Sequence, residues 1–460
     1  MVPHPPLIIP EVGRGQEKAI QATIDAYHQA ARCLAAWKPD TVVVLSPHSV
    51  MYADYFHISP GTGAEGDFGR FRAPHAKVRV TYDRELVRLI CQETDRADVP
   101  AGTMGEEDRQ LDHGTMIPLW FLNQYDRNYQ VVRIGLSGLP FSTHYRLGQC
   151  IQRAAERSEK RIAVIASGDL SHRLTKDGPY GFQEEGPAYD RRIMDVMGSG
   201  EFGGLFDFSE EFCEKAAECG HRSFVIMAGA LDSLAVKAER LSHEGPFGVG
   251  YGICTYEAGG PAPGRDFLRQ REEREREALE ERKRKEDPYV HLARQTIEAW
   301  VRGCAGRTEK RIAVPEGLPE EMLARRAGVF VSLKVDGRLR GCIGTISPVR
   351  GSIAEEIMEN AISAACRDPR FHPVEPEELD RLVYSVDVLG KTEEISSKEE
   401  LDVKRYGVIV SKGARRGLLL PNLEGVDTVE EQIDIARQKA GIPEDAENIR
   451  LERFEVVRHF

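Results

Sequence analysis

"VIASGDLSHRL", residues 164–174, is an apolar run that breaks at Gly168 and then sets Asp169, Ser171 and His172 close together. An apolar run without alternation marks a strand covered on both faces. A polar cluster directly after it is what the carboxyl edge of an α/β sheet carries, where such proteins place their chemistry. Two further stretches have the same form, "TVVVLSPHS" (41–49) and "YQVVRIGLS" (129–137). Around them lie segments with helical spacing of apolar residues, "EKAIQATIDAYHQAARCLAAW" (17–37), "ELVRLICQET" (85–94) and "HYRLGQCIQRAAER" (144–157). Strands alternating with helices predict an α/β sheet.

The chain has 460 residues, too many for one ordinary core, so two or three domains are expected. Hydrophobic content of 41% and charged content of 30% describe a globular protein. A net charge of −12 argues against a general nucleic-acid binder, and no apolar run is long enough to predict a membrane span. The nine cysteines form no C-x-x-C pair, which excludes zinc-finger and thioredoxin patterns. Their odd number, with no signal-peptide pattern in "MVPHPPLIIPEVG", predicts reduced thiols in a cytoplasm. The Gly/Pro stretch "AGGPAPG" (258–264) and the charge run "RQREEREREALEERKRKED" (269–287) read as a linker containing a polar helix. The expected division is therefore 1–257, a linker at 258–286, and 287–460.

Four histidines sit at element ends in the first part: His4 in "VPHPP", His48 in "LSPHS", His113 in "QLDHGTMIPLWFL" and His172 in "SGDLSH". Carboxyl edges of a sheet converge, so such residues can meet in one cleft. Imidazole binds Fe(II), Zn(II) or Mn(II), and two histidines with one carboxylate leave open positions for a diol and O2. Further histidines serve as acid and base near neutral pH.

"VPHPPLIIPEVG", "LSPHS", "LDHGTMIPL" and "SGDLSH" together resemble the class III extradiol dioxygenase superfamily, the LigB-like enzymes with the Memo proteins, over about residues 1–256. The resemblance implies an α/β sandwich with a central mixed sheet. It implies Fe(II)-dependent opening of an aromatic diol by O2, with Zn or Mn as alternative metals. His4 and His48 match the histidine ligands. His172 matches the acid/base that handles the substrate hydroxyl proton, and His113 a group that orients oxygen or substrate. Asp169 and Asp112 then orient the histidines. The carboxylate ligand falls in "CEKAAECGHRSFVIMAGALDSL" (213–234), where Glu218 is the choice. Cys219 is its rival, because the Memo branch places a cysteine there, and a thiolate favours a softer metal. His4 lies three residues from the first residue of the sequence, where chain ends fray, so a short first strand and a loosely held ligand are expected.

The last part has a different texture. "AGVFVSLKVDGRLRGCIGTIS" (327–347) reads as two strands about an Asp336-Gly337 turn. "SIAEEIMENAISAACRDPRF" (352–371) and "TVEEQIDIARQKAGI" (428–442) read as helices, and "LVYSVDVLG" (382–390) and "YGVIVSKGARRGLLLPNL" (406–423) as strands, which makes a separate α+β domain. "LRGCIGTI", "AACRDPRFHPV" and "GLLLP" resemble the AMME-syndrome candidate-region (AMMECR) family over about 287–460. Cys342, with Arg340 expected to lower its pKa, and Asp368 and Arg370 are the pocket candidates. The two-part order is similar to the protein A family of the AmmeMemoRadiSam system, which implies a radical-SAM partner beside a small-molecule substrate. A homodimer is left open. Three readings stand: a dioxygenase, an oxygen-independent metal hydrolase or lyase, and a non-catalytic metal-binding scaffold for the radical-SAM partner.

Overall fold

A computed structural model describes residues 1–304, 312–335, 337–423, 425–444, 446 and 448–460. The chain divides into two compact units, Met1–Glu273 and Arg274–Phe460.

In the first unit the three apolar runs form a parallel sheet in the order Gln130–Gly135, Thr41–Ser46, Ile162–Ala166. Val42 pairs with Val131 on one side of the central strand, and Leu45 with Ala166 on the other. Successive side chains point to opposite faces. Val43, Leu45, Val132 and Ile134 accordingly enter one core, and Val42, Val44, Val131 and Ile165 enter another. The first core is closed by the helices Arg84–Arg96, Phe141–Ser158 and His221–Gly229, the second by Gln21–Trp37 and His113–Leu122. Each fully buried Val or Leu contributes about 1.5–3 kcal/mol, which is why alternation is absent from these strands. Isolated bridges extend the sheet, Tyr82 to Val131 in parallel and Ile58 to Ile134 antiparallel, so the sheet is mixed.

The chain start does not fray. Met1 is buried, and its α-amino group donates to the Cys254 carbonyl at 3.1 Å. Val2 pairs with the end of the third strand: its N–H donates to Ala166 O at 3.0 Å, and Gly168 N–H returns to Val2 O at 2.9 Å. Burial lowers the Met1 amine to a pKa of about 6. The first strand is short as expected, a single bridge at Val2, but these bonds hold it in place, and His4 lies two residues beyond.

Two antiparallel hairpins flank the sheet, Gly63–Phe68 with Ala73–Thr81, and Leu234–Glu244 with Tyr251–Pro261. The second takes in part of the Gly/Pro stretch read as linker, since Ala258 pairs with Val236 and Pro261 with Leu234. The charge run lies on the helix Phe267–Lys285, with pairs such as Lys285–Glu281 at 2.9 Å.

The second unit is an antiparallel sheet in the order Arg338–Gly344, Val329–Val335, Val383–Leu389, Arg450–His459, Tyr406–Lys412, Arg415–Leu419. The helix Ile353–Cys366 packs on the first strands and Val429–Ala440 on the last two. Thr428 caps the latter as read, accepting from Glu431 N–H in a capping box. Of the hairpin turn expected at Asp336-Gly337, Asp336 lies outside the described residues. Among the described residues no helix is long and apolar enough to cross a membrane.

Candidate metal centre

Four segments converge at the carboxyl edge of the parallel sheet. His4 follows the Val2 bridge, and His48 stands two residues past the central strand. Asp169 follows the third strand through Ser167 and Gly168. Cys219 precedes the helix His221–Gly229. A Cβ built on Gly168 would lie 2.0 Å from Gly220 Cα, so the two loops touch backbone to backbone and any side chain there would part them.

The result is a compact donor set. His48 Nε2 lies 3.0 Å from His4 Nε2, and Cys219 Sγ lies 3.6 Å from the same atom. Ligand atoms of His4, His48 and Cys219 all fall within 4.8 Å of one another. Ser167 sets the protonation of His4. Its hydroxyl donates to Gly114 O at 2.6 Å, which leaves its oxygen to accept from His4 Nδ1–H at 2.9 Å. The proton on Nδ1 leaves a lone pair on Nε2, turned toward Cys219 and His48. Burial, with His48 adding to it, lowers the His4 pKa to about 3, so the ring is neutral, as a ligand must be. Burial raises the Cys219 thiol well above its ordinary value; a bound cation would remove that proton.

Glu218 lies outside this group. Its Oε2 accepts from His221 N–H at 2.6 Å, and burial lifts its pKa to about 7. The structure thus brings Cys219, the rival, to the two histidines in place of the chosen carboxylate. Two imidazoles and a thiol suit a divalent transition ion of borderline or soft character, which is a different set from two histidines and a carboxylate.

The other candidates surround the trio. His113 stacks on His48, with ring centroids 4.1 Å apart, and burial lowers its pKa to about 3. His172 Nε2 is 3.9 Å from Asp169 Oδ2, and burial keeps its pKa below the usual histidine value. Asp169 does not grip a ligand ring: its Oδ1 accepts from His4 N–H at 2.6 Å, so it fixes the ligand's backbone. Burial raises its pKa to about 6. Asp112 caps the helix His113–Leu122, accepting from Thr115 N–H at 2.9 Å and from Ser46 Oγ at 2.5 Å. Two residues escaped the sequence reading. Ser167, the last residue before the Gly168 break, was not singled out there. Tyr180, exposed in the loop after His172, stacks on that ring at 5.1 Å, and nothing in its sequence setting signals this.

Residues 1–254 match the family model of the catalytic LigB subunit of aromatic ring-opening dioxygenase, more than half of the chain. The chain belongs to the LigB family. Residues 290–459 match the AMMECR1 family. Protein CA_C1420 of Clostridium acetobutylicum is similar over the full length, 41% identical across 100% of this chain and 98% of its own. A Thermotoga maritima protein is 54% identical over 38% of this chain and 98% of its own. Among solved structures, the uncharacterized protein PH0010 of Pyrococcus horikoshii shares 36% identity over 37% of this chain and 88% of its own, with a TM-score of 0.34.

The LigB unit has an open cleft of about 1360 Å³ that reaches one member of the trio, His48, and is otherwise bounded by His113, Phe71 and Met116 and by charged side chains of the Gly63–Thr81 hairpin. It is large enough to admit a small organic molecule. In the AMMECR1 unit the pocket candidates separate into two groups. Arg340 is turned away from the thiol, donating to Glu378 Oε1 at 2.7 Å and to His372 O at 3.0 Å. It therefore does not lower the pKa of Cys342, which burial raises. Asp368 accepts from Cys342 N–H at 2.9 Å, and Arg370 donates to Asp368 at 2.7 Å and to Cys342 O at 3.1 Å. The Arg370 guanidinium holds the Asp368 carboxyl down at about 2.

Proposed function

We propose that the LigB unit is a metal-dependent enzyme that holds one divalent transition ion through His4, His48 and Cys219 and acts on a small molecule bearing adjacent oxygens. The observation that carries this is the three ligand atoms within 4.8 Å at the carboxyl edge of the sheet, one of them held in the ligating tautomer by Ser167. The family's description names an aromatic ring-opening dioxygenase, and the form of that reaction proposed for this chain is opening of an aromatic diol by O2 with Fe(II) as the ion. The ion would supply Lewis acidity toward the two oxygens and, as iron, O2 activation.

The chain's own groups handle substrate and proton. His172, neutral at pH 7 because burial lowers its pKa, accepts the proton of a substrate hydroxyl at Nε2, and the neighbouring Asp169 carboxylate stabilises the imidazolium formed. The base is lost as pH falls through that lowered pKa, so the acid limb of the rate profile lies below the usual histidine value of about 6.5. His113 stays neutral at such pH and presents a flat ring beside His48 on the cleft wall.

The thiol favours a second reading. A thiolate in the carboxylate's place suits an ion such as Zn(II), which has no redox chemistry. The unit is then an oxygen-independent hydrolase or lyase, or the metal-holding scaffold of a radical-SAM partner. One experiment separates the readings: metal content of the anaerobically purified full chain, beside His48→Ala and Cys219→Ala, followed by O2 uptake with a panel of catechols. One iron per chain, lost in both variants, with O2 consumed supports the dioxygenase. One zinc, with no O2 consumed, supports the second reading. No metal, or metal retained in both variants, sinks the metal centre itself.

A further inference from the structure

His172 takes the proton in the reading above, yet its ring has little to hold it. Its backbone is fixed: its N–H donates to Ala216 O at 3.3 Å, and the N–H of Ser171 beside it donates to Asp190 Oδ1 at 2.9 Å. That leaves the two side-chain torsions, of which the second is broad for an imidazole. His4 has Ser167 to set its ring. Among the described residues none hydrogen-bonds the ring of His172, and its Nε2 stands 3.9 Å from Asp169 Oδ2, beyond hydrogen-bond length. One side chain does meet it. The Tyr180 ring stacks on the imidazole, with centroids 5.1 Å apart and planes 23° from parallel.

Tyr180 serves no core: it is 61% exposed, and its hydroxyl has no hydrogen-bond partner among the described residues. Its mount, in contrast, is well defined. Residues 174–182 leave the site and return to it. Leu174 bridges Phe182, Gln183 N–H donates to Arg173 O at 3.2 Å, and Leu174 N–H donates to Gly248 O at 3.1 Å. Inside the loop, Gly178 N–H closes a turn on Thr175 O at 3.1 Å, and Gly181 N–H closes another on Gly178 O at 3.2 Å. Gly181 has a φ of 73°, which glycine adopts without strain. A Cβ on Gly248 would lie 2.8 Å from Gly178 Cα, so the loop rests on its neighbour's backbone. A closed loop seated in this way delivers Tyr180 to one place, the face of His172.

A stack covers a face and leaves the edge of the ring open. The lone pair that takes a proton lies in the ring plane, so Tyr180 can fix that plane without blocking Nε2. We propose that Tyr180 is the positioning residue of His172, holding the imidazole so that Nε2 stays turned toward Asp169 and open to a substrate hydroxyl. This rests on the proton-acceptor role given to His172 above. Stacking needs a ring and not a hydroxyl, so Phe serves at this position and Ala does not.

The test uses the full chain, isotope-labelled at the histidine ring carbon between the two nitrogens, and nuclear magnetic resonance. The His172 signal is the one missing from His172→Gln. A proton held over an aromatic face is shifted upfield. The signal therefore lies upfield in the unaltered chain and in Tyr180→Phe, and Tyr180→Ala moves it toward that of exposed His75. Equal signals in the unaltered chain and Tyr180→Ala overturn the proposal. So does a Tyr180→Ala chain that loses its metal, because Tyr180 would then hold the whole site and not one ring. With a catechol that the chain turns over, Tyr180→Ala lowers kcat about two- to tenfold, the worth of one aromatic pair, with KM nearly unchanged. Tyr180→Phe keeps kcat, and an unchanged kcat in Tyr180→Ala overturns the proposal. If no catechol is turned over, the dioxygenase reading fails, while the ring signal still decides whether Tyr180 holds His172.

Discussion

Ser167 touches no substrate, yet it decides what His4 can do. Its oxygen accepts from Nδ1 because its own proton is committed to Gly114 O. Ser167→Ala removes that acceptor, leaves Gly114 O without its hydroxyl donor, and frees the ring to take the other tautomer. Partners that orient a metal-binding histidine are worth about 10–100-fold in affinity. Metal affinity of Ser167→Ala, measured by competition with a chromophoric chelator, should fall by that order, and the metal-free protein should lose about 1–3 kcal/mol because buried Gly114 O and His4 Nδ1 are left without their partner. Unchanged affinity would mean that Ser167 does not set the ring. Cys219→Asp tests the third ligand at the same scale. It exchanges soft sulfur for hard oxygen, so the preference between Zn(II) and Mn(II), assayed with the same competing chelator, should move toward Mn(II). Both ions losing affinity equally would show that Cys219 contributes packing and no bond.

At the scale of elements, the apolar strands were legible and the loops between them were not. Val42 to Leu45 and Val131 to Ile134 show no alternation because both faces of their sheet are buried, and that is written in composition. His48 and His113 were legible for the same reason, since one stands just beyond such a run and the other opens a capped helix. Which of Glu218 and Cys219 turns inward was not legible. The answer depends on a turn in which Ala217 has φ of 53° and Gly220 meets Gly168, and a turn of this kind has no periodicity to read. The fixed chain start was also hidden, because its partners, Ala166 and Cys254, are remote in sequence. The Gly168–Gly220 contact makes its own prediction. Gly168→Ala forces a methyl into the backbone of the neighbouring loop, and such overpacking costs about 1–3 kcal/mol or more. The midpoint of thermal unfolding should drop, and metal binding should weaken with it because Cys219 is carried away from His4. A variant with unchanged midpoint and metal content would show that the loops separate freely.

For the whole molecule, the two units differ in what holds them. Each has its own apolar cores, Met1–Glu273 on both faces of a parallel sheet and Arg274–Phe460 between an antiparallel sheet and its helices. Among the described residues only the first carries a metal donor set. A ligand that binds native but not unfolded protein stabilises by RT ln(1 + [L]/Kd), about 2.7 kcal/mol at a hundredfold excess over Kd. For a unit of this size that moves the midpoint by roughly 5–10 °C. Calorimetry of the full chain should therefore resolve two transitions. Added metal should raise the one assigned to the LigB unit and leave the other in place, a chelator should reverse the shift, and His48→Ala should abolish it. The transitions can be assigned without metal, because Gly168→Ala lowers the LigB one alone. If both transitions rise together, the ion acts on the two units as one body, and the site at His4, His48 and Cys219 does not account for its effect. If neither moves, the donor set holds no metal under those conditions, and the four histidines are held together by packing and hydrogen bonds alone.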